Sequence, residues 1–142
     1  MSQLEKAIEI ALQAHEGATD KTGQAYILHP LRLMMQMDSE EEQITAVLHD
    51  VVEDSTITLE DLADAGFSKN VLEVLALLTH DKGLVSYADY IVGISENPLA
   101  RKVKIADLEH NMDIRRLQAP LSEADLERLS KYRRAWEVLA NP

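Results

Sequence analysis

The sequence has no cysteine, so neither a disulfide framework nor thiolate chemistry is open to it. Aromatic residues make up only 4%, and no long apolar/polar alternation occurs, which argues against a β-rich fold. Glycine (5) and proline (4) are sparse and stand singly between periodic segments, leaving no linker or low-complexity tract. No apolar run approaches the ~18 residues of a membrane span. The opening MSQLEKAIEI carries Glu5 and Glu9 in a helical pattern and lacks the basic start and unbroken apolar stretch of a signal peptide. A cytoplasmic protein is therefore expected. Basic residues are also short: 14 Lys and Arg face 25 Asp and Glu, for a formal net charge of −11. Such a field repels nucleic acid and anionic lipid, so neither is an expected partner. It would equally oppose a phosphorylated small molecule unless a cation at the site held it.

What is present is helical period. The 142 residues, 46% of them apolar, suit a single domain over 1–142. Residues 2–16 place Leu4, Ala7, Ile8, Ala11 and Leu12 on one face. Gly17 to Gly23 reads as a polar loop. Further helices are expected from near Pro30 to Met37, Glu40 to Glu53, Thr58 to Gly66, Ser68 to Thr79 and Ser86 to Glu96. Asn97-Pro98 opens one to about Leu117, and Pro120 and Ser122 precede the last, to Leu139. The expected fold class is an all-α, single-domain bundle of about eight helices. Nothing in the sequence fixes an oligomeric state.

Three segments carry ionisable residues inside apolar surroundings. In AVLHDVVED, His49, Asp50, Glu53 and Asp54 interrupt a helix whose Leu48, Val51 and Val52 point to burial. Buried charge is costly unless it is paired or bound to metal. The alternative is a partly solvated helix end with Glu53 and Asp54 facing water. In KVKIADLEHNM, Lys104, Asp107 and Asn111 share one face at i−3 and i+4, a set suited to phosphate, metal and substrate. Here the alternative is an ordinary surface ion pair. In YILHP, His29 precedes Pro30, which disfavours helical backbone at position 29 and suits an aimed ligand. A packing or capping histidine is the rival there. Taken together, His29, His49, Asp50 and Asp107 form a mixed nitrogen/oxygen set suited to Mn²⁺, Fe²⁺ or Zn²⁺. His15, in AHEG at the end of the first helix, stands where it could approach the pocket but reads first as a structural residue at a helix C-terminus; His80 and His110 read as non-ligands, and Tyr132 and Trp136 as core packing rather than a base-stacking platform.

In order and spacing, AHEG, KTGQAYILHP, VLHDVVEDS and VKIADLEHNM resemble the HD-domain metal-dependent phosphohydrolases of the Rel/SpoT type. The likeness spans roughly residues 4–117 and is nearest to the stand-alone small alarmone hydrolases. It implies an HD-type helical bundle and one divalent ion, Mn²⁺, held by His29, His49, Asp50 and Asp107. It implies that Glu53 and Asp54 position and deprotonate the attacking water. It also implies that Lys21, Tyr26 and Asn111 line the nucleotide pocket, with Lys21 or Lys104 offsetting charge on the leaving phosphate. The implied reaction is removal of the 3′-pyrophosphate from ppGpp. Asp20 and Leu108 stand where the family usually has basic residues, and both replacements are expected to remove positive charge from the pocket. Two other readings stay open: hydrolysis of another nucleotide or phosphoester, and a non-catalytic metal-holding regulatory domain.

Overall fold

Short polar residues set the helix starts. Ser2, Ser39, Thr58 and Ser122 each accept from the backbone N–H three residues on, and the residue there answers with its own carboxylate. These boxes satisfy donors that a helix N-terminus otherwise leaves unpaired. They open α1 (Gln3–Ala14), α3 (Glu40–Leu48), α5 (Leu59–Asp64) and α9 (Glu123–Ala140). Ser68 and Ser86 cap α6 (Lys69–Leu78) and α7 (Tyr87–Ser95), and Asn97 with Pro98 starts α8 (Pro98–Asn111). Between these lie α2 (Leu28–Met35), the one-turn α4 (Val51–Asp54) and a 3-10 turn (Ile114–Arg116). The computed structural model describes residues 1–118 and 120–141. The fold is all-α: among these residues there is no strand, only an isolated bridge between Thr19 and Ala25. Gly66 ends α5 at φ 95°, a left-handed conformation that costs glycine little.

Two apolar clusters fill the bundle. Ala7 and Ala11 of α1 pack with Val47, Leu48 and Val51 and with Leu62, Val71 and Leu75. On the other side Leu33, Val74, Leu78, Ile94, Val103, Leu108 and Leu139 join α2, α6, α7, α8 and α9. Tyr132 and Trp136 are partly buried against this second cluster, in keeping with a packing role. Leu12, placed on the buried face of α1 by its period, is 49% exposed.

Three local expectations are corrected. Helix Glu40–Glu53 is not continuous: it breaks at His49–Asp50, where Asp50 adopts φ −121°, ψ 10°. The Asp50 carboxylate is bonded to His15 and Tyr26, and this tether holds the residue off the helical path. Next, His29 lies inside α2 rather than ahead of it. Pro30 falls in the first turn, where its missing N–H costs nothing, so the pre-proline bias is overridden. Finally, α8 stops at Asn111 instead of Leu117, because the Asp113 carboxylate accepts from the Arg115 N–H and starts a separate turn.

Candidate metal centre and flanking cavities

The break after α3 brings distant residues together. His29 from α2, His49 from the end of α3 and Asp107 from α8 are buried, with one ligand atom from each lying within 4.8 Å of the others. His29 Nε2 is 2.7 Å from Asp107 Oδ1, and His49 Nε2 is 3.5 Å from the same oxygen. His49 Nδ1 donates to the Ala46 carbonyl at 2.8 Å, which aims Nε2 into the centre. Asp107 also accepts from Lys104 Nζ at 2.9 Å and Asn111 Nδ2 at 3.0 Å. Two imidazole nitrogens and a carboxylate oxygen, converging in a buried place, fit a divalent ion with mixed N/O ligation.

Asp50 stands outside that trio. Its Oδ2 lies 3.8 Å from His49 Nε2, while Oδ1 accepts from His15 Nε2 at 3.1 Å and Oδ2 accepts from the Tyr26 hydroxyl. His15 does sit at the end of α1, but its buried ring also reaches across to Asp50. The helix-end reading of His15 left this contact out, and the alternative of an approach to the pocket is the one that matches it.

The electrostatics follow from this packing. Burial opposes a charge on His49, but Asp50 and Asp107 beside it push its pKa up to about 9. Burial likewise opposes the Asp107 carboxylate, yet Lys104, His29 and His49 hold it well below the usual carboxylate value. Asp54 is open to solvent on one side, but crowding by the protein, with Asp50 and Glu53 alongside, pushes it up to about 6. Glu53 accepts from the His80 backbone N–H at 2.8 Å. That bond fixes a loop residue against α4, and nothing at sequence level announced it.

Two cavities meet at the centre. One, of about 270 Å³, is lined by Lys21, Tyr26, His29, Asn111, Arg116 and Arg128. The other, of about 200 Å³, includes His49, Asp50, Glu53, Asp54, Lys104 and Asp107. Tyr26, Asn111 and Tyr132 line both, and every residue assigned from the sequence to metal, water activation or substrate lines one cavity or the other. Sequence reading missed three groups here. His110 Nδ1 meets His29 Nδ1 at 2.6 Å. Arg116 donates to the His110 carbonyl at 2.8 Å and lies 3.4 Å from Asp20 Oδ2. Lys82 and Lys131 line the smaller cavity. Asp20 braces its own loop, accepting from Thr22 and from the Gln24 N–H, and Arg116 brings a cation to the same wall. Leu108 is 1% exposed and packs in the core, so its replacement of a basic residue takes no charge from the pocket.

A buried His/His/Asp group inside an all-α bundle, with acidic residues beside it and paired cavities around it, defines a helical domain of the HD type. The comparisons agree. A solved structure of a metazoan ortholog of SpoT, described as hydrolysing ppGpp, superposes with a TM-score of 0.81. That superposition covers 99% of this chain and 87% of the other at 19% identity, a likeness of fold. Escherichia coli SpoT, named a bifunctional (p)ppGpp synthase/hydrolase, is 31% identical over 127 residues, 79% of this chain. A Vibrio cholerae guanosine-3′,5′-bis(diphosphate) 3′-pyrophosphohydrolase is 41% identical over 76 residues, 51% of the chain. A probable GTP pyrophosphokinase of Mycobacterium leprae is 30% identical over 152 residues, 99% of the chain. The chain spans only 18%, 11% and 19% of these three relatives' own lengths. No family model matches it. The chain is a relative of the Rel/SpoT-type proteins and has the all-α HD-domain fold.

Proposed function

We propose that this protein is a metal-dependent guanosine-3′,5′-bis(diphosphate) 3′-pyrophosphohydrolase, taking ppGpp and water to GDP and pyrophosphate. The observation that carries the reading is the buried His29/His49/Asp107 group at the junction of two cavities. The hydrolase names of the relatives support it. His29, His49 and Asp107, with Asp50 adjoining His49, would hold one divalent ion; the mixed donors suit Mn²⁺, Fe²⁺ or Zn²⁺, and the likeness to the Rel/SpoT-type hydrolases points to Mn²⁺ among them. Such an ion, when bound, supplies Lewis acidity toward a phosphoryl oxygen and acidity to a coordinated water.

The chain's own residues do the rest. Glu53 and Asp54, on α4 and facing the smaller cavity, orient the attacking water and take its proton. An Asp54 pushed up to about 6 is well matched to a base working near neutral pH. Lys104, bonded to Asp107, faces the same cavity and offsets phosphate charge. Lys21, Tyr26, Asn111 and Arg116 line the larger cavity and position the nucleoside. Residues 1–142 act as one cytoplasmic domain in this reading, and no helix among those described is long and apolar enough to cross a membrane.

One observation favours a second reading, hydrolysis of a different nucleotide: Asp20 adds a carboxylate to the wall of the larger cavity. A screen for released phosphate and pyrophosphate with Mn²⁺ over ppGpp and ordinary nucleotides, with metal content measured in parallel, tests both. Pyrophosphate and GDP from ppGpp are the expected products. Release from another nucleotide alone would replace the substrate, and a metal-loaded protein that turns over nothing would leave a regulatory domain.

A further inference from the structure

The smaller cavity collects lysines from three separate segments in a chain where acids outnumber bases. Lys82 comes from the turn after α6, Lys104 from α8 and Lys131 from α9. Lys104 is already paired with Asp107 at 2.9 Å. Lys82 and Lys131 have no carboxylate partner among the described residues. Lys131 Nζ instead sits 4.0 Å from the centre of the Tyr87 ring, a cation–π contact that fixes its place at the cavity wall. Burial, and then repulsion from Lys82 and Lys104, holds the Lys131 ammonium below the usual lysine value, so the three cations feel one another. Like charges are held together in this way where an anion is to be received.

A second observation points the same way. The Tyr87 hydroxyl oxygen, on α7 and in the wall of this cavity, is buried and has no hydrogen-bond partner among the described residues. Buried hydroxyls almost always have a partner. Burial pushes the phenol's pKa up, so it stays a donor. A donor without an acceptor, beside two cations without an anion, describes an acceptor-rich polyanion.

The geometry points to an anion-receiving site formed by Lys82, Lys131 and the Tyr87 hydroxyl, continued by Lys104 toward the metal centre, whose ligand is a diphosphate group. The inference deepens the hydrolase reading and rests on it for its role: the diphosphate is the group that reaction cleaves off. The larger cavity would then take the nucleoside, and the bond to be broken would lie between them at the His29/His49/Asp107 group.

Inorganic pyrophosphate is the probe, titrated calorimetrically into the Mn²⁺-loaded protein and into chelator-treated protein. The variants are Lys82→Gln, Lys131→Gln, their double, and Tyr87→Phe, which removes the hydroxyl while leaving a ring beneath Lys131. Lys69→Gln is the control, since that exposed lysine pairs with Glu73 away from the cavity. The double variant is expected to bind pyrophosphate about tenfold more weakly and Tyr87→Phe a few-fold more weakly, with the control unchanged and melting temperatures preserved. Unchanged affinity in the double variant overturns the site. So does pyrophosphate binding that depends on the metal alone, or no binding in any form. A protein that turns over no nucleotide, yet binds pyrophosphate through these lysines, would sink the hydrolase reading and leave this site standing.

Discussion

His29 and His110 meet nitrogen to nitrogen: their Nδ1 atoms are 2.6 Å apart and their rings lie within 8° of parallel. Only one of the two nitrogens carries the proton. If His29 offers Nε2 to an ion, its Nδ1 holds the hydrogen and His110 Nδ1 accepts it. Burial first, then the His29 charge and nearby arginines, pushes the His110 pKa down to about 4, which keeps that ring neutral and fit to accept. His110→Ala should therefore weaken Mn²⁺ binding by roughly 10–100-fold while the fold persists. His110→Gln, which restores an acceptor, should recover part of the loss. Calorimetric metal titration measures both, and an unchanged affinity in His110→Ala would show that the contact orients nothing.

Asp107 lies beside His29 Nε2 and His49 Nε2 and accepts from Lys104 and Asn111. Lys104 has a side chain only 13% exposed and gives one hydrogen bond to that carboxylate. In chelator-treated protein, Asp107→Asn strands a buried ammonium and should cost about 3–5 kcal/mol. Adding Lys104→Met removes the stranded charge and should return most of that stability. Urea unfolding of the wild type, both single variants and the double closes the cycle. Independent, additive costs would mean that the pair is not coupled.

The Asp54 carboxyl gives a pH signature. Its folded pKa, about 6, lies above the ordinary 3.8, so the fold favours the protonated form. Its contribution to stability is complete below about pH 4 and is lost as pH rises through about 6. Chelator-treated Asp54→Asn should accordingly melt higher than wild type at about pH 8, with the gap closing toward about pH 4. Metal loading should shrink the gap at high pH, because a cation nearby relieves the crowded negative charge. Thermal melts across pH, with and without Mn²⁺, read this directly. A gap that widened toward acid would reverse the assigned cause.

Much of this was legible from residue type and spacing. Several helix starts announced themselves through Thr58, Ser68, Ser86 and Ser122, because capping is local chemistry. His29, His49 and Asp107 stood out as polar groups in apolar runs. What could not be read depended on long-range contact. The break at Asp50 is fixed by His15, 35 positions away. The His29–His110 pair spans 81 positions and His80–Glu53 spans 27. Lys82, Tyr87 and Lys131 carry no mutual spacing signal at all, and only the bundle places them around one cavity. The pre-proline argument at His29 failed for a different reason: the bias is only a preference, and because a first-turn proline costs the helix no hydrogen bond, α2 begins at Leu28 against it.

Ala7 and Ala11 have no exposed surface, and their small side chains let α1 lie close enough for His15 to grip Asp50. The first helix thus works as a calliper whose jaw is set by two methyl groups. A bulkier residue at either alanine would lever His15 away and loosen a carboxylate that it never touches, so a lesion of pure packing would surface as altered chemistry.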